Sequence, residues 1–125
     1  MVEAKMRAVV ALIERGDLVL AVSRKGDPEA LGLPGGKVDA GESPREALLR
    51  ECAEELGPGA TLGMEPIFIS FDGDFEVSAF RGEVSLDWIP SPGEGEGMVS
   101  WVTRAQLEAG PFGDYNTRLF REKKV

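Results

Sequence analysis

The sequence predicts one domain of α/β (α+β) class, and three features predict it. Short apolar runs bounded by turn residues recur along the chain, as buried strands do. A capped amphipathic stretch over residues 43–57 reads as a helix, and a second capping pattern near the C-terminus announces shorter ones. The length, 125 residues, is that of a single domain, which can bury about two-thirds of its unfolded surface without a staple.

Taken in order, residues 7–13 (RAVVALI) suit a central strand buried on both faces. Glu14-Arg15-Gly16-Asp17 turns the chain, and residues 18–23 (LVLAVS) return as the second arm of a hairpin. A polar loop opens at Arg24-Lys25-Gly26-Asp27-Pro28. Ser43-Pro44-Arg45-Glu46 is a capping box with proline at the first helical position, where its missing N–H costs nothing. The helix carries Ala47, Leu48, Leu49, Cys52, Ala53 and Leu56 as its apolar stripe and ends at Gly57, a left-handed stop, before Pro58. Gly59 and Gly63 bracket a turn, residues 66–71 form a strand, and Asp72-Gly73-Asp74 turns into another over 75–81. Phe68, Phe71, Phe75 and Phe80 are core or sheet-surface residues, any one of which is able to stack on a base. Residues 88–97 (WIPSPGEGEG) form a loop, expected to be mobile and at the active site, before a strand at 98–102. Thr103-Arg104-Ala105-Gln106 opens a short helix that Gly110-Pro111 ends. Asp114 caps a last helix over 115–123, with Leu119 and Phe120 inward and Lys123-Lys124 favourable at its negative end.

Composition narrows the chemistry. The chain contains no histidine and one cysteine, which excludes His-based triads, the usual zinc ligand sets and an internal disulfide. Cys52 falls on the apolar side of its helix and reads as core. A formal charge of −8 argues against general binding to a nucleic-acid polymer, though not against a small phosphorylated ligand bridged by divalent cations. No run of eighteen apolar residues occurs, and Met1-Val2-Glu3-Ala4-Lys5-Met6-Arg7 lacks a signal-type apolar core. A cytoplasmic protein without a membrane partner is expected. Sequence leaves the oligomeric state open, a homodimer included.

One stretch organises the rest. Within residues 36–57, Glu51 meets Glu54 and Glu55 at spacings of three and four, which share a helical face. Convergent carboxylates repel one another and resist ionisation unless a cation sits among them. Arg50 lies one turn from Glu46 and from Glu54 and offsets part of the repulsion. The preceding Leu33-Pro34-Gly35-Gly36-Lys37 and Asp39-Ala40-Gly41-Glu42 place glycines where backbone approaches a ligand closely, and deliver Glu42 to the mouth of the helix.

Gly36, Glu42, Arg50, Glu51, Glu54, Glu55 and Gly57 together resemble the Nudix box, departing only at Cys52, usually aliphatic, and Pro58, usually apolar. The resemblance implies an α/β/α sandwich around a central mixed sheet. It also implies hydrolysis of a nucleoside diphosphate linked to another group, most closely as in small bacterial nucleoside triphosphate pyrophosphohydrolases. Enzymes acting on ADP-ribose, nucleotide sugars or dinucleoside polyphosphates, and a non-catalytic nucleotide-binding module, are the alternatives. In its terms Glu51, Glu54 and Glu55 bind Mg²⁺, or Mn²⁺ in its place, with the Gly36 carbonyl. Arg50 holds a glutamate, Glu54 is the first candidate for general base, and Glu96, with Glu94 close behind, is a further ligand or base from the 88–97 loop. Arg24 and Lys37 face substrate phosphates, and Asn116 is placed like an asparagine that reads the base in relatives that clear oxidised guanine nucleotides. For Arg24, Lys37 and Asn116 an ordinary surface charge or helix cap competes with these roles.

Overall fold

The computed structural model describes residues 6–122. The expectations for Met1–Lys5 and for Lys123-Lys124 lie outside the described residues. The strands are β1 (Met6–Arg15), β2 (Leu18–Arg24), β3 (Asp27–Gly32), β4 (Gly35–Lys37), β5 (Thr61–Leu62), β6 (Phe68–Asp72), β7 (Phe75–Glu83) and β8 (Val99–Thr103). The helices are α1 (Pro44–Leu56), α2 (Arg104–Glu108) and α3 (Gly113–Glu122). The sheet runs β3-β2-β1-β7-β5, with β4 on β1, β6 on β7 and β8 on β2. Only β1 and β7 pair in parallel, so the sheet is mixed as expected.

β1 is the buried strand its apolar run predicts, and its side chains alternate between two cores. Val9, Ala11 and Ile13 pack with Ala47, Leu48, Cys52 and Leu56 of α1 on one face. Leu12 packs with Leu107, Tyr115 and Leu119 of α2 and α3 on the other. Helices therefore cover both faces, giving three layers. The apolar stripe of α1 is narrower than expected, since Leu49 and Ala53 are exposed while Cys52 is buried as read.

β1 pairs with β2 only at Glu14 and Arg15, and with β4 at Ala8, Val9 and Val10. The sheet thus splits along β1, and a gap opens between β2 and β4. Three short strands were not anticipated. β3 begins at Asp27, inside the expected polar loop, and tolerates Pro28 because it is an edge strand. β4 and β5 contain too few residues to show a period, and Gly35 and Gly36 mimic a loop.

Other boundaries moved slightly. Asp72 closes β6 rather than starting the turn, and Asp114 lies in the first turn of α3, which begins at Gly113. Gly57 has the positive φ expected, +83°, but an extended ψ of −170°, so it redirects the chain instead of forming a left-handed cap. Orphan carbonyls at this helix end are satisfied from the 88–97 loop: Gly93 N donates to Glu54 O and Ser91 N to Leu56 O, both at 2.8 Å. Trp88 Nε1 adds a bond to Pro58 O at 2.8 Å. The loop is tethered to the carboxylate helix, which brings its own acidic residues near.

At the other end of α1 the capping box is complete. Glu46 N donates to Ser43 Oγ at 3.1 Å, and Ser43 N donates to Glu46 Oε1 at 2.9 Å. Glu46 is thereby committed and does not pair with Arg50. Replacing Ser43 by Ala removes one of these bonds and should lower unfolding free energy by about 1 kcal/mol, read as a smaller midpoint in urea with an unchanged slope.

Candidate active site

The site grows from the join between β4 and α1. Arg50 is its hub. Its Nε donates to Glu42 Oε2 at 2.8 Å and its Nη2 to Glu42 Oε1 at 2.9 Å, a forked pair. Nη1 donates to Glu51 Oε2 at 3.0 Å, and Nη2 also reaches Lys37 O at 3.2 Å. Asp39 lies 3.3 Å from the same guanidinium and Glu54 3.7 Å. One residue thus fastens the 37–42 loop to the helix and orients Glu51.

The electrostatics follow from these partners. The Arg50 hydrogen bond, helped by Asp39 N–H, holds Glu42 down at about 2, well below the usual carboxylate range. Glu42 in turn raises Arg50 further above its ordinary value. Burial pushes Glu51 upward, opposed by its bond from Arg50. Glu55 is pushed up to about 8, chiefly by burial, against the stabilising bond it accepts from Gly35 N at 2.9 Å. The charges of Glu54 and Glu96 add to the upward push on both Glu51 and Glu55, so four carboxylates share one neighbourhood.

They share it without forming a finished cage: among the described residues no three acidic or cysteine side chains stand ready to hold a metal ion. The tight convergence read from helical spacing is therefore corrected. Like charges part, and each takes its own donor: Glu51 takes Arg50, Glu55 takes Gly35 N–H, and Glu96 lies 3.8 Å from Lys25 Nζ. Glu54 stays half exposed. The donor set still fits a hard cation, being all carboxylate oxygen with no thiolate or imidazole in reach. Gly36 leaves the needed room, since a Cβ there would come within 2.5 Å of the Glu51 carboxylate. Glu96 is half buried and acts on Glu51 and Glu55, whereas Glu94 is exposed.

Beside the carboxylates, the split in the sheet holds a cavity of about 340 Å³. Arg24, Gly36, Lys37, Glu55 and Asn116 all line it, which brings the expected phosphate-facing and base-reading residues together with one carboxylate. Glu51, Glu54 and Glu96 are not among its lining residues. Phe75 closes one side, with Lys37 Nζ 5.8 Å from its ring centroid. Asn116 is 2% exposed and is no surface cap; its Nδ2 donates to Leu107 O at 3.4 Å. Asp72 and Phe112 are among the lining residues that the sequence reading missed. Asp72 read only as a turn residue, and Phe112, packed against Gly32, carried no periodic signal.

A model of the family described as the NUDIX domain matches residues 4–122 of this chain. An 8-oxo-dGTP diphosphatase of Haemophilus influenzae is 37% identical over 92 residues, 73% of this chain and 68% of its own. A Mycobacterium tuberculosis protein, provisionally named a second 8-oxo-dGTP diphosphatase, is 56% identical over 109 residues, 79% of this chain and 74% of its own. In fold, a NUDIX-family hydrolase from Clostridium perfringens superposes with a TM-score of 0.72 over 96% of this chain and 97% of that one, at 19% identity.

Glu55 gives a pH prediction with a definite sign. Its folded pKa lies above the unfolded value near 4.5, so the folded chain holds an extra proton between the two. Stability of the metal-free protein should therefore be highest below pH 4.5 for this group and fall as pH rises toward 8, by at most about 1.4 kcal/mol per pH unit. Glu55→Gln should flatten that decline in urea titrations across pH 5–8, and an unchanged slope would remove Glu55 as its source.

Proposed function

Because the chain belongs to the NUDIX family and is a Nudix hydrolase, we propose that it cleaves a nucleoside triphosphate to a monophosphate and pyrophosphate, oxidised guanine nucleotides included. The whole chain is taken as one Nudix domain. The observation that carries the reading is that one cavity is lined by Glu55, Arg24, Lys37 and Asn116 together. Phosphate chemistry and base recognition then occupy one cleft. The activity in the Haemophilus relative's name supports the oxidised-guanine choice.

Phosphoanhydride cleavage needs an in-line oxygen nucleophile and positive charge on the phosphate oxygens. Glu51, Glu54, Glu55 and the Gly36 carbonyl, with Glu96 as a further ligand, would hold Mg²⁺ or Mn²⁺ in its place, which would supply that positive charge and lower the pKa of a bound water. The chain's own residues do the rest. Arg50 keeps Glu51 and the 37–42 loop in register, Arg24 and Lys37 draw in the polyphosphate, and Glu54 takes the proton from the attacking water, with Glu96 the second candidate. Glu54 suits the task because it is held only weakly, at 3.7 Å from Arg50. No described helix is long and apolar enough to cross a membrane, and a cytoplasmic setting is part of the proposal.

A nucleotide panel with Mg²⁺ tests this reading. Monophosphate and pyrophosphate in equal amounts are expected, while two monophosphates from ADP-ribose alone would redirect it. Glu54→Gln should keep the wild-type melting temperature and lose at least about 10²-fold in kcat; wild-type turnover would release Glu54 from the mechanism. Gly36→Ala should fold, because only a flexible side-chain end is crowded. It should also weaken Mn²⁺ binding by about tenfold or more, measured by isothermal titration, since Glu51 is driven from its place.

A further inference from the structure

The far end of the cavity carries an acceptor that the reaction does not use. Asp72 stands opposite Phe75 in the β6–β7 register, so the two share a face, and both line the cavity. Phe75 lies four residues along β7 from Ala79, which shares its row with Val10 and, across β1, with Gly35. At roughly 3.3 Å per residue this sets Asp72 about 13 Å along the strands from the Gly35 N–H that holds Glu55. Sugar and base fit between the two.

Asp72 is half buried, and among the described residues its carboxylate accepts no side-chain hydrogen bond and joins no ion pair. Arg118, on the facing helix, donates to Ser70 Oγ and to Phe71 O and forms no ion pair with Asp72. The Asp72 charge is felt at Tyr115, whose phenol is raised mainly by burial and additionally by this carboxylate. Tyr115 cannot serve it, because its hydroxyl already donates to Val77 O at 3.1 Å. Asn116, also a lining residue, uses one of its two amide N–H groups on Leu107 O, and its Oδ1, which takes no bond and is not sealed off, is a second acceptor. The Asp72 carboxylate, an acceptor only, therefore calls for a ligand edge that presents N–H donors.

We propose that Asp72 is a specificity-determining residue that accepts the ring N1–H and the exocyclic amine of guanine in two parallel hydrogen bonds. The proposal rests on the nucleoside triphosphate reading. Of the common bases only guanine presents two adjacent donors on that edge; adenine and cytosine offer an amine beside an acceptor, and uracil a single N–H between carbonyls. The C8 position is remote from this edge, so Asp72 selects guanine without sorting oxidised from unoxidised forms.

Steady-state kinetics of the full chain with dGTP, dITP and dATP decide it. dITP lacks only the exocyclic amine. The wild-type protein should favour dGTP over dITP by about tenfold or more in kcat/KM. Asp72→Asn should abolish that preference through KM, with kcat held and dITP changed by less than about threefold. Asp72→Ala, with melting temperatures recorded for both variants, covers a folding defect in the first. Equal losses on dGTP and dITP, or no wild-type preference, would overturn the role of Asp72 while leaving the hydrolase reading intact. Failure of the wild-type protein to cleave any triphosphate would overturn both.

Discussion

The arrangement depends on one guanidinium. Arg50 makes a forked pair with Glu42, a third bond to Glu51 and a fourth to Lys37 O. Without it, Glu42, Glu51 and Glu54 would sit within a turn or so of one another with nothing between them, and mutual repulsion would loosen the join of β4 to α1. A lysine could not replace it, since a single ammonium lacks the fork that fixes two carboxylates and a carbonyl together. The opposed displacements of Glu42, downward, and Glu55, upward to about 8, show how unevenly one cation serves the group. Glu42 is fully compensated, while Glu55 has only a backbone N–H against burial and three like charges. That residual imbalance is the physical case for a divalent ion.

The second constraint is the split in the sheet. β1 parts from β2 at the Glu14 end and takes β4 as its neighbour at the other, which leaves a gap through which the α1 carboxylates on one face approach a cavity under α3 on the other. A continuous sheet would separate the two. The parallel pairing of β1 with β7 then sets β6, and with it Asp72, at the far end of the same cleft. The loop over 88–97 lends N–H groups to the end of α1, so that closing the helix and bringing Glu96 near its carboxylates are one act.

How legible this was in the sequence varied with the length over which a signal could accumulate. α1 carried capping, periodicity and a charge pattern over thirteen residues, and its bounds were readable from Ser43 and Gly57. β1 carried a short apolar run suited to a strand buried on both faces. β4, with three residues, two of them glycine, had no side-chain pattern to read. The box residues were legible because their spacing is local, and Arg24, Lys37 and Asn116 because resemblance named their regions. Asp72 and Phe112 were not, since they meet the cavity only through strand register and helix docking, which no local window contains. The spacing of Glu51, Glu54 and Glu55 misled in one respect. It fixes which face the side chains leave from, not where their carboxylates end once Arg50 and Gly35 compete for them.

The central claim is that carboxylates and cavity form one site, cation at one end and base at the other. A crystal structure with Mn²⁺ and a non-hydrolysable guanine triphosphate, using anomalous scattering to locate the metal, tests it most directly. The account predicts a peak enclosed by Glu51, Glu54, Glu55 and the Gly36 carbonyl, with the base between Phe75 and Asn116. Manganese away from α1, or a nucleotide bound outside the split between β2 and β4, would contradict it.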